Sequence, residues 1–415
     1  MKKNVQSVAP VGSVFSTDEI LSFRKETDGC SNVIHLNNAG AGLMPNVVTQ
    51  SQLDHIKLEA EIGGYEASAL RSAAIREFYV EAANLFNCKP TNIAFTASAT
   101  DSYTRALSSI PFKHGDIILT DNDDFVSNQI QFLSLQKRLG TKIVRMQNAS
   151  IGGVDLNDLE EKLQKHQPRL LAITHIPTNS GLVQPVKEIA KVFADYSKSF
   201  PEKTWYILDA CQSAGQMKID VEELKCDFLS VTGRKFLRGP RGTGILFISD
   251  KALASGLEPM FIDMRGAEWI EKDMYKPRPD AMRFEDWEFA YSTVLGTKVA
   301  IEYCRNIGEE KIWRQIKLLS GLMREELSSI DKVKVLDRGP EVSGLVTFTV
   351  SGSNPKYIVD ELLKRRINVV PSYRAFGVID FDEKGIDWAI RASPHYYNTK
   401  SEIEIFIESV KEIIT

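Results

Sequence analysis

From about residue 89 to residue 250, short apolar runs alternate with amphipathic stretches of helical period. The apolar runs are Ile93–Ala97, Asp116–Thr120, Lys142–Met146, Arg169–His175, Thr204–Asp209, Asp227–Thr232 and Gly244–Ile248. Strands that alternate with helices predict a mostly parallel seven-stranded sheet with helices on both faces, because each parallel crossover lays a helix on the sheet. Such sheets bind ligands beyond the carboxyl ends of their strands. Upstream, residues 46–88 read as mostly helical with a break at Gly63-Gly64, and residues 1–30 as a polar arm with a short helix near Thr17–Lys25. Residues 250–300 form a polar, proline-containing crossing segment. Beyond it the pattern gives a long helix from about Lys298 to Ser329, strands Lys332–Leu336 and Gly344–Val350, and a helix Pro355–Arg366. Strands near Asn368–Pro371 and Trp388–Ala392 and a closing helix Lys400–Ile414 complete the chain. The expected architecture is α/β: an arm (1–30) packing with the small domain, a large domain (31–275) and a smaller α+β domain (276–415).

With 415 residues, 43% apolar and 26% charged, the chain has the composition of an ordinary globular protein with a sizeable core. Its net charge of −4 provides no electrostatic footprint for nucleic acid or an anionic membrane surface. The five cysteines are scattered, without CxxC or Cys/His metal spacing, so reduced thiols and no metal site are expected. Met1-Lys2-Lys3-Asn4 leads into no apolar stretch, and no run approaches the length of a membrane span. A cytoplasmic protein with neither nucleic-acid nor membrane partner is the expectation.

The first chemical signal lies between Phe228 and Gly244. Phe228-Leu229-Ser230-Val231-Thr232 is apolar, and Gly233-Arg234-Lys235-Phe236-Leu237-Arg238-Gly239-Pro240-Arg241-Gly242-Thr243 punctuates the chain with glycines before a second apolar run begins at Gly244. Lys235 therefore sits where the chain leaves a sheet, on a loop whose backbone can approach a ligand closely. Partly desolvated beside Arg234, its amine would have a lowered pKa and act as a nucleophile; a basic solvated turn accounts for the same residues without chemistry. Upstream, Thr204-Trp205-Tyr206-Ile207-Leu208-Asp209 ends in an acid and continues Ala210-Cys211-Gln212. A strand-end Asp followed 26 residues later by a strand-end Lys is the pair that pyridoxal phosphate needs. The acid keeps the ring nitrogen protonated as an electron sink, and the lysine forms the Schiff base.

On these motifs the chain resembles the class V aminotransferase family of pyridoxal-phosphate fold type I, which includes cysteine desulfurases, selenocysteine lyases and isopenicillin-N-epimerase-like proteins. The resemblance runs from about His35 to the C-terminus. It implies pyridoxal 5'-phosphate as cofactor, an amino-acid substrate, a homodimer with the active site at the subunit interface, and Lys235 and Asp209 as catalytic residues. Thr96-Ala97-Ser98-Ala99-Thr100-Asp101 follows a strand and opens a helix, whose free N–H groups suit a phosphate; the resemblance assigns Ala99, Thr100, Thr232 and Arg234 to the cofactor phosphate. It also stacks Phe125 on the ring, directs Gln212 to the ring hydroxyl, and directs Asn179 to that hydroxyl or to the substrate. Arg391, in Ile390-Arg391-Ala392-Ser393-Pro394-His395, clamps the substrate carboxylate, a pairing that a planar guanidinium makes bidentately. The resemblance places Asn38, Ala39 and Gly40 beside the substrate and implies that Tyr373 in the loop 371–377, with Tyr65, bears on specificity. His175 reads as structural.

Two departures bear on the reaction. Cysteine desulfurases carry a persulfide-forming cysteine on a loop before the arginine; Val370-Pro371-Ser372-Tyr373-Arg374-Ala375-Phe376-Gly377 has none, and no cysteine follows Cys304. Where the family has a threonine used by the neighbouring subunit, this chain has Glu288, leaving open whether the partner supplies Arg283, Ser292 or nothing. The expected activity is a C–S lyase that eliminates from cysteine or a cysteine conjugate without a persulfide. The alternatives are an epimerase using Tyr373 or Tyr396 as second acid, an aminotransferase and, remotely, a non-catalytic cofactor-binding protein.

Overall fold

A computed structural model describes residues 14–201 and 203–415. Of the expected N-terminal arm, residues 1–13 lie outside the described residues. The helix Thr17–Lys25 begins at Ser16, which shares a capping box with Glu19. The arm lies against the C-terminal part of the chain: Arg24 donates to the carbonyl of Tyr397 (3.2 Å) and pairs with Glu402 (2.8 Å), and the Phe23 ring meets Tyr396 edge-on at 5.2 Å.

The large sheet has seven strands: β1 (Ile93–Thr96), β2 (Ile117–Thr120), β3 (Lys142–Arg145), β4 (Leu170–Thr174), β5 (Trp205–Asp209), β6 (Phe228–Thr232) and β7 (Gly244–Ile248). Their order is β1-β7-β6-β5-β4-β2-β3, with β7 antiparallel to both neighbours and the other neighbouring pairs parallel. The strands read as continuous apolar runs because both faces are covered. Successive residues of β5 and β6 go to opposite cores: Tyr206, Leu208, Leu229 and Val231 to one, Trp205, Ile207 and Phe228 to the other.

The smaller sheet runs β8 (Val333–Val335), β9 (Val346–Val350), β11 (Trp388–Ala392), β10 (Val370–Tyr373), all antiparallel. It packs on helices Glu309–Ser328, Pro355–Lys364 and Lys400–Ile414 through Leu319, Met323, Ile358, Leu362, Phe406 and Ile407.

Several expectations change. The long helix over 298–329 is two helices, Tyr291–Ile307 and Glu309–Ser328, broken at Gly308, whose φ of +93° continues neither. Tyr291–Ile307 buries Val294, Leu295 and Ile301 in the same core as Tyr206 and Leu229 of the large sheet. Ile34–His35, placed in the large domain, instead pairs in parallel with Ile367–Asn368 of the small one. The crossing segment contains a hairpin, Ala267–Glu271 with Met274–Pro277, whose solvent-facing residues give no apolar run to read. The loop 371–377 continues β10 into a helical turn, Arg374–Phe376, and a helix, Val378–Lys384.

Arg238 joins the parts at the centre. It is 2% exposed and donates to the Leu43 carbonyl (2.7 Å), the Thr27 hydroxyl (2.6 Å) and the Tyr396 hydroxyl. Its guanidinium lies 4.5 Å from the centre of the Tyr397 ring and 5.7 Å from that of Tyr303. Replacing Arg238 with Ala removes these bonds and leaves their acceptors buried, so stability should fall by about 3 kcal/mol. The urea midpoint would register this loss; a midpoint equal to that of the unchanged protein would contradict the role.

Candidate active site

The sheet delivers its strand ends to one cleft. β5 ends at Asp209 and β6 at Thr232, three residues before Lys235; β1 leads into the helix Ala99–Ser109, β2 into the loop carrying Phe125, and β4 into Ile176 and Thr178. Ala99, Thr100, Phe125, Asp209, Gln212, Thr232, Arg234 and Lys235 all line this cleft. Sequence motifs separated by more than a hundred residues thus meet because parallel strands share one carboxyl edge.

The Lys235 turn is held on both sides. Gly42 N–H donates to Arg234 O (2.8 Å), Arg238 N–H to Lys235 O (2.9 Å) and Gly239 N–H to Gly233 O (2.8 Å). A Cβ at Gly42 would approach Lys235 O to 2.6 Å, so the backbone contact requires glycine there. Lys235 is 7% exposed, with its amine 5.9 Å from the centre of the Phe125 ring. Burial, helped by Arg234 and Arg391, lowers its pKa to about 8, against opposing pulls from Cys211 and Asp209. Asp209, also buried, accepts from Cys211 N–H (2.9 Å) and Asn128 Nδ2 (3.2 Å).

Arg391, on β11, enters from the small domain and donates from Nη1 to the Thr178 carbonyl at 3.0 Å. Burial and the like charge of Arg234 lower its pKa to about 10. Burial also lowers Arg234, which donates to the Gly40 carbonyl. At the opposite wall, Ser98 caps the helix Ala99–Ser109 by accepting from Asp101 N–H (3.1 Å), leaving the first-turn N–H groups of that helix facing the cleft.

Other expected residues lie elsewhere. Asn179 faces the small domain: its Nδ2 donates to Phe376 O (2.6 Å) and its Oδ1 accepts from the Ser372 hydroxyl. The neighbouring Thr178 takes the place in the cleft, and Gln212 Nε2 donates to it at 3.4 Å and to Ala39 O at 3.1 Å. Asn38 is fully buried, its amide donating to Ser393 O (2.8 Å) and accepting from the Tyr397 hydroxyl (2.6 Å), so it braces the loop instead of facing a substrate. Ala39 and Gly40 present carbonyls to Gln212 and Arg234. Tyr373 is 41% exposed, against Phe376 at 6.3 Å. Tyr396 is buried, its hydroxyl accepts from Arg238, and it lies outside the lining of the cleft. Arg283 donates to Arg278 O (2.7 Å) and Leu257 O (2.8 Å) within its own chain, and Ser292 is buried. His175 is buried, with a pKa lowered to about 4 by burial. Ser98, Thr174, Ile176 and Cys211 complete the cleft; each flanks a recognised motif but carries no spacing that marks it.

The profile of the aminotransferase class-V family matches residues 33–406, and the chain belongs to that family. A probable cysteine desulfurase from Pyrococcus abyssi is 27% identical over 400 residues, covering 94% of this chain and 96% of that protein. Another from Methanothermobacter thermautotrophicus is 26% identical over 393 residues, 92% of this chain and 94% of the relative. The apo structure of cysteine desulfurase from Thermococcus onnurineus NA1 superposes with a TM-score of 0.86 at 27% identity, over 95% of this chain and 98% of that one. The cystine C–S lyase C-DES shares the fold, with a TM-score of 0.82 at 24% identity over 92% and 98% of the two chains.

The protein is accordingly a pyridoxal-phosphate-dependent enzyme. The cleft fits that cofactor. Among the described residues, the buried Gln212 Oε1 and Arg391 Nε lack hydrogen-bond partners; Arg234 and Lys235 line the cleft with the free N–H groups of a helix, and the Arg391 cation lies near enough to lower Lys235. A phosphate and a carboxylate answer the cationic and N–H donors, and the ring hydroxyl answers the Gln212 Oε1 acceptor. The lowered pKa makes a further prediction. The amine reacts only when deprotonated, so the rate at which apoprotein takes up pyridoxal phosphate should rise with pH to a midpoint near 8 and then level. Stopped-flow absorbance would follow it; a midpoint near an ordinary lysine's would refute the desolvated site.

Proposed function

We propose that the enzyme is a C–S lyase that eliminates the sulfur substituent of cysteine or a cysteine conjugate, giving a thiol, pyruvate and ammonia with the uptake of one water. The observation that carries this reading is the segment preceding Arg391. It holds no thiol, and its helix Val378–Lys384 is fastened to the large domain: Asn122 donates to Glu383 (2.9 Å), and a buried Lys384–Asp380 pair (2.8 Å) lies beside Asp123. A sulfur-carrying loop has to move between donor and acceptor; this one is folded and anchored.

In this reading pyridoxal phosphate supplies the electron sink for the bond broken at the substrate α-carbon. The helix N–H groups at Ala99 and Thr100, with Thr232 and Arg234, would hold its phosphate, Phe125 would pack on the ring, and Asp209 would pair with the ring nitrogen. Arg391 binds the substrate carboxylate, which fixes the α-carbon against Lys235. With a pKa of about 8, Lys235 is deprotonated in a useful fraction near neutrality and removes the α-proton. A homodimer belongs to the proposal; the exposed Val47, Leu53, Ile56 and Ile62 on one long helix provide apolar surface for it.

A second reading rests on Cys211. Its thiol lines the same cleft, so a desulfurase that passes substrate sulfur to it, yielding alanine and a Cys211 persulfide, balances as well. Burial raises the Cys211 thiol well above its ordinary value, which keeps it a poor nucleophile and favours elimination. An epimerase retains Tyr373 as its one candidate for second acid, and an aminotransferase needs no group beyond those named.

Product analysis separates these readings. Cysteine, S-alkylcysteines and their sulfoxides should give pyruvate and ammonia in equal amounts, with nothing from alanine. Alanine with a persulfide lost in Cys211→Ala would establish the desulfurase instead. Pyridoxamine phosphate with one equivalent of keto acid would establish an aminotransferase, and racemisation alone an epimerase. Arg391→Lys replaces a fork with a point charge and should raise KM about 30-fold, with kcat changed much less. An unaltered KM would remove Arg391 from the carboxylate site.

A further inference from the structure

Behind Asp209 lies a second buried carboxylate that the reaction outlined above does not use. Asp124 is 5% exposed and Asn128 2%. Asp124 accepts from Thr174 Oγ1 (2.6 Å), Phe125 N–H (2.7 Å) and Asn128 Nδ2 (2.9 Å) on one oxygen, and from Thr120 Oγ1 (2.8 Å) on the other. Burial raises the Asp124 carboxyl, while the bonds from Thr174, Asn128 and Thr120 favour its ionised form. The amide nitrogen of Asn128 also donates to Asp209 Oδ2 (3.2 Å), while Cys211 N–H takes Oδ1 (2.9 Å). One amide therefore spans two carboxylates.

Asn128 belongs to the first turn of the helix Val126–Leu139, which begins at Phe125, and the Phe125 N–H is one of the donors to Asp124. The carboxylate thus fixes the start of the helix that presents Phe125 and Asn128, while Thr120 and Thr174 tie it to the ends of β2 and β4.

We propose that Asp124 and Asn128 form a buried relay that orients Asp209 toward the cofactor ring nitrogen and, by adding a second negative charge behind it, keeps that nitrogen protonated. Asn128 is a positioning residue, since it acts through Asp209. The inference rests on the reading of Asp209 as the partner of the ring nitrogen, and is independent of which products form.

The test uses holoenzyme loaded with ring-¹⁵N pyridoxal phosphate, observed by NMR without substrate. Asn128→Leu removes the shared donor at similar size, Asp124→Asn removes the charge at constant shape, and Asp209→Asn is the reference. The wild-type resonance should be that of a pyridinium, and both relay variants should move it toward the neutral-pyridine position, Asn128→Leu further. Loss of alignment should also lower kcat about 10-fold or more while KM for the amino acid stays within about 2-fold, because the carboxylate clamp is untouched. If Asp209→Asn shifts the resonance and both relay variants keep the wild-type value, the relay is overturned, even where kcat has fallen. If Asp209→Asn itself leaves the resonance unmoved, the ring-nitrogen assignment fails, and the relay with it. Should Asn128→Leu not fold, the isosteric Asp124→Asn decides by the same criterion.

Discussion

The buried guanidinium of Arg238 is the contact on which the catalytic geometry depends. It sits three residues after Lys235 with φ of +59°, a left-handed conformation that costs a residue with a side chain about 1–2 kcal/mol. What holds it there are bonds to Thr27 in the arm, the Leu43 carbonyl beside the 39–42 loop, and Tyr396 near the C-terminus. Three segments distant in sequence are thereby drawn around the turn that presents the lysine, so that Lys235 is positioned by the whole chain and not by its own loop.

Around that anchor the site divides its electrostatic work between two sources. The large sheet contributes Asp209 and the helix N-terminus at Ala99, both fixed by strand ends. The small domain contributes Arg391, whose strand is pinned by pairing with β9 and β10. Burial lowers both Arg234 and Arg391, and the charge of Arg234 lowers Arg391 further. That positive charge suits the cofactor phosphate and, in the proposed reading, the substrate carboxylate.

The segment between β10 and β11 carries the main support for the proposed elimination. In place of a thiol it has a short helix whose Asp380 and Lys384 pair in a buried setting next to Asp123, which burial raises to about 7. Asn179 joins the same seam through Ser372 and Phe376. Residues that looked like ligand contacts in isolation thus serve to close the two domains on each other.

The sequence alone determined the seven-strand alternation, the strand-end Asp209 and Lys235, the helix opening at Ala99 and the strand-borne Arg391, because each depends on local periodicity or on a motif contiguous in the chain. It also excluded a thiol from residues 371–377, since composition needs no fold. Tertiary structure decided the remainder. Whether Thr178 or Asn179 faces the cleft depends on how the loop after β4 meets the small domain. That Asn38 braces and does not bind depends on Ser393 and Tyr397, more than 350 residues away. The Asp124–Asn128–Asp209 chain needs β2, β4 and β5 brought side by side, and Tyr396 looks like a free acid until Arg238 is folded against it. In each case the deciding hydrogen-bond partner is remote in sequence, and local pattern carries no information about remote partners.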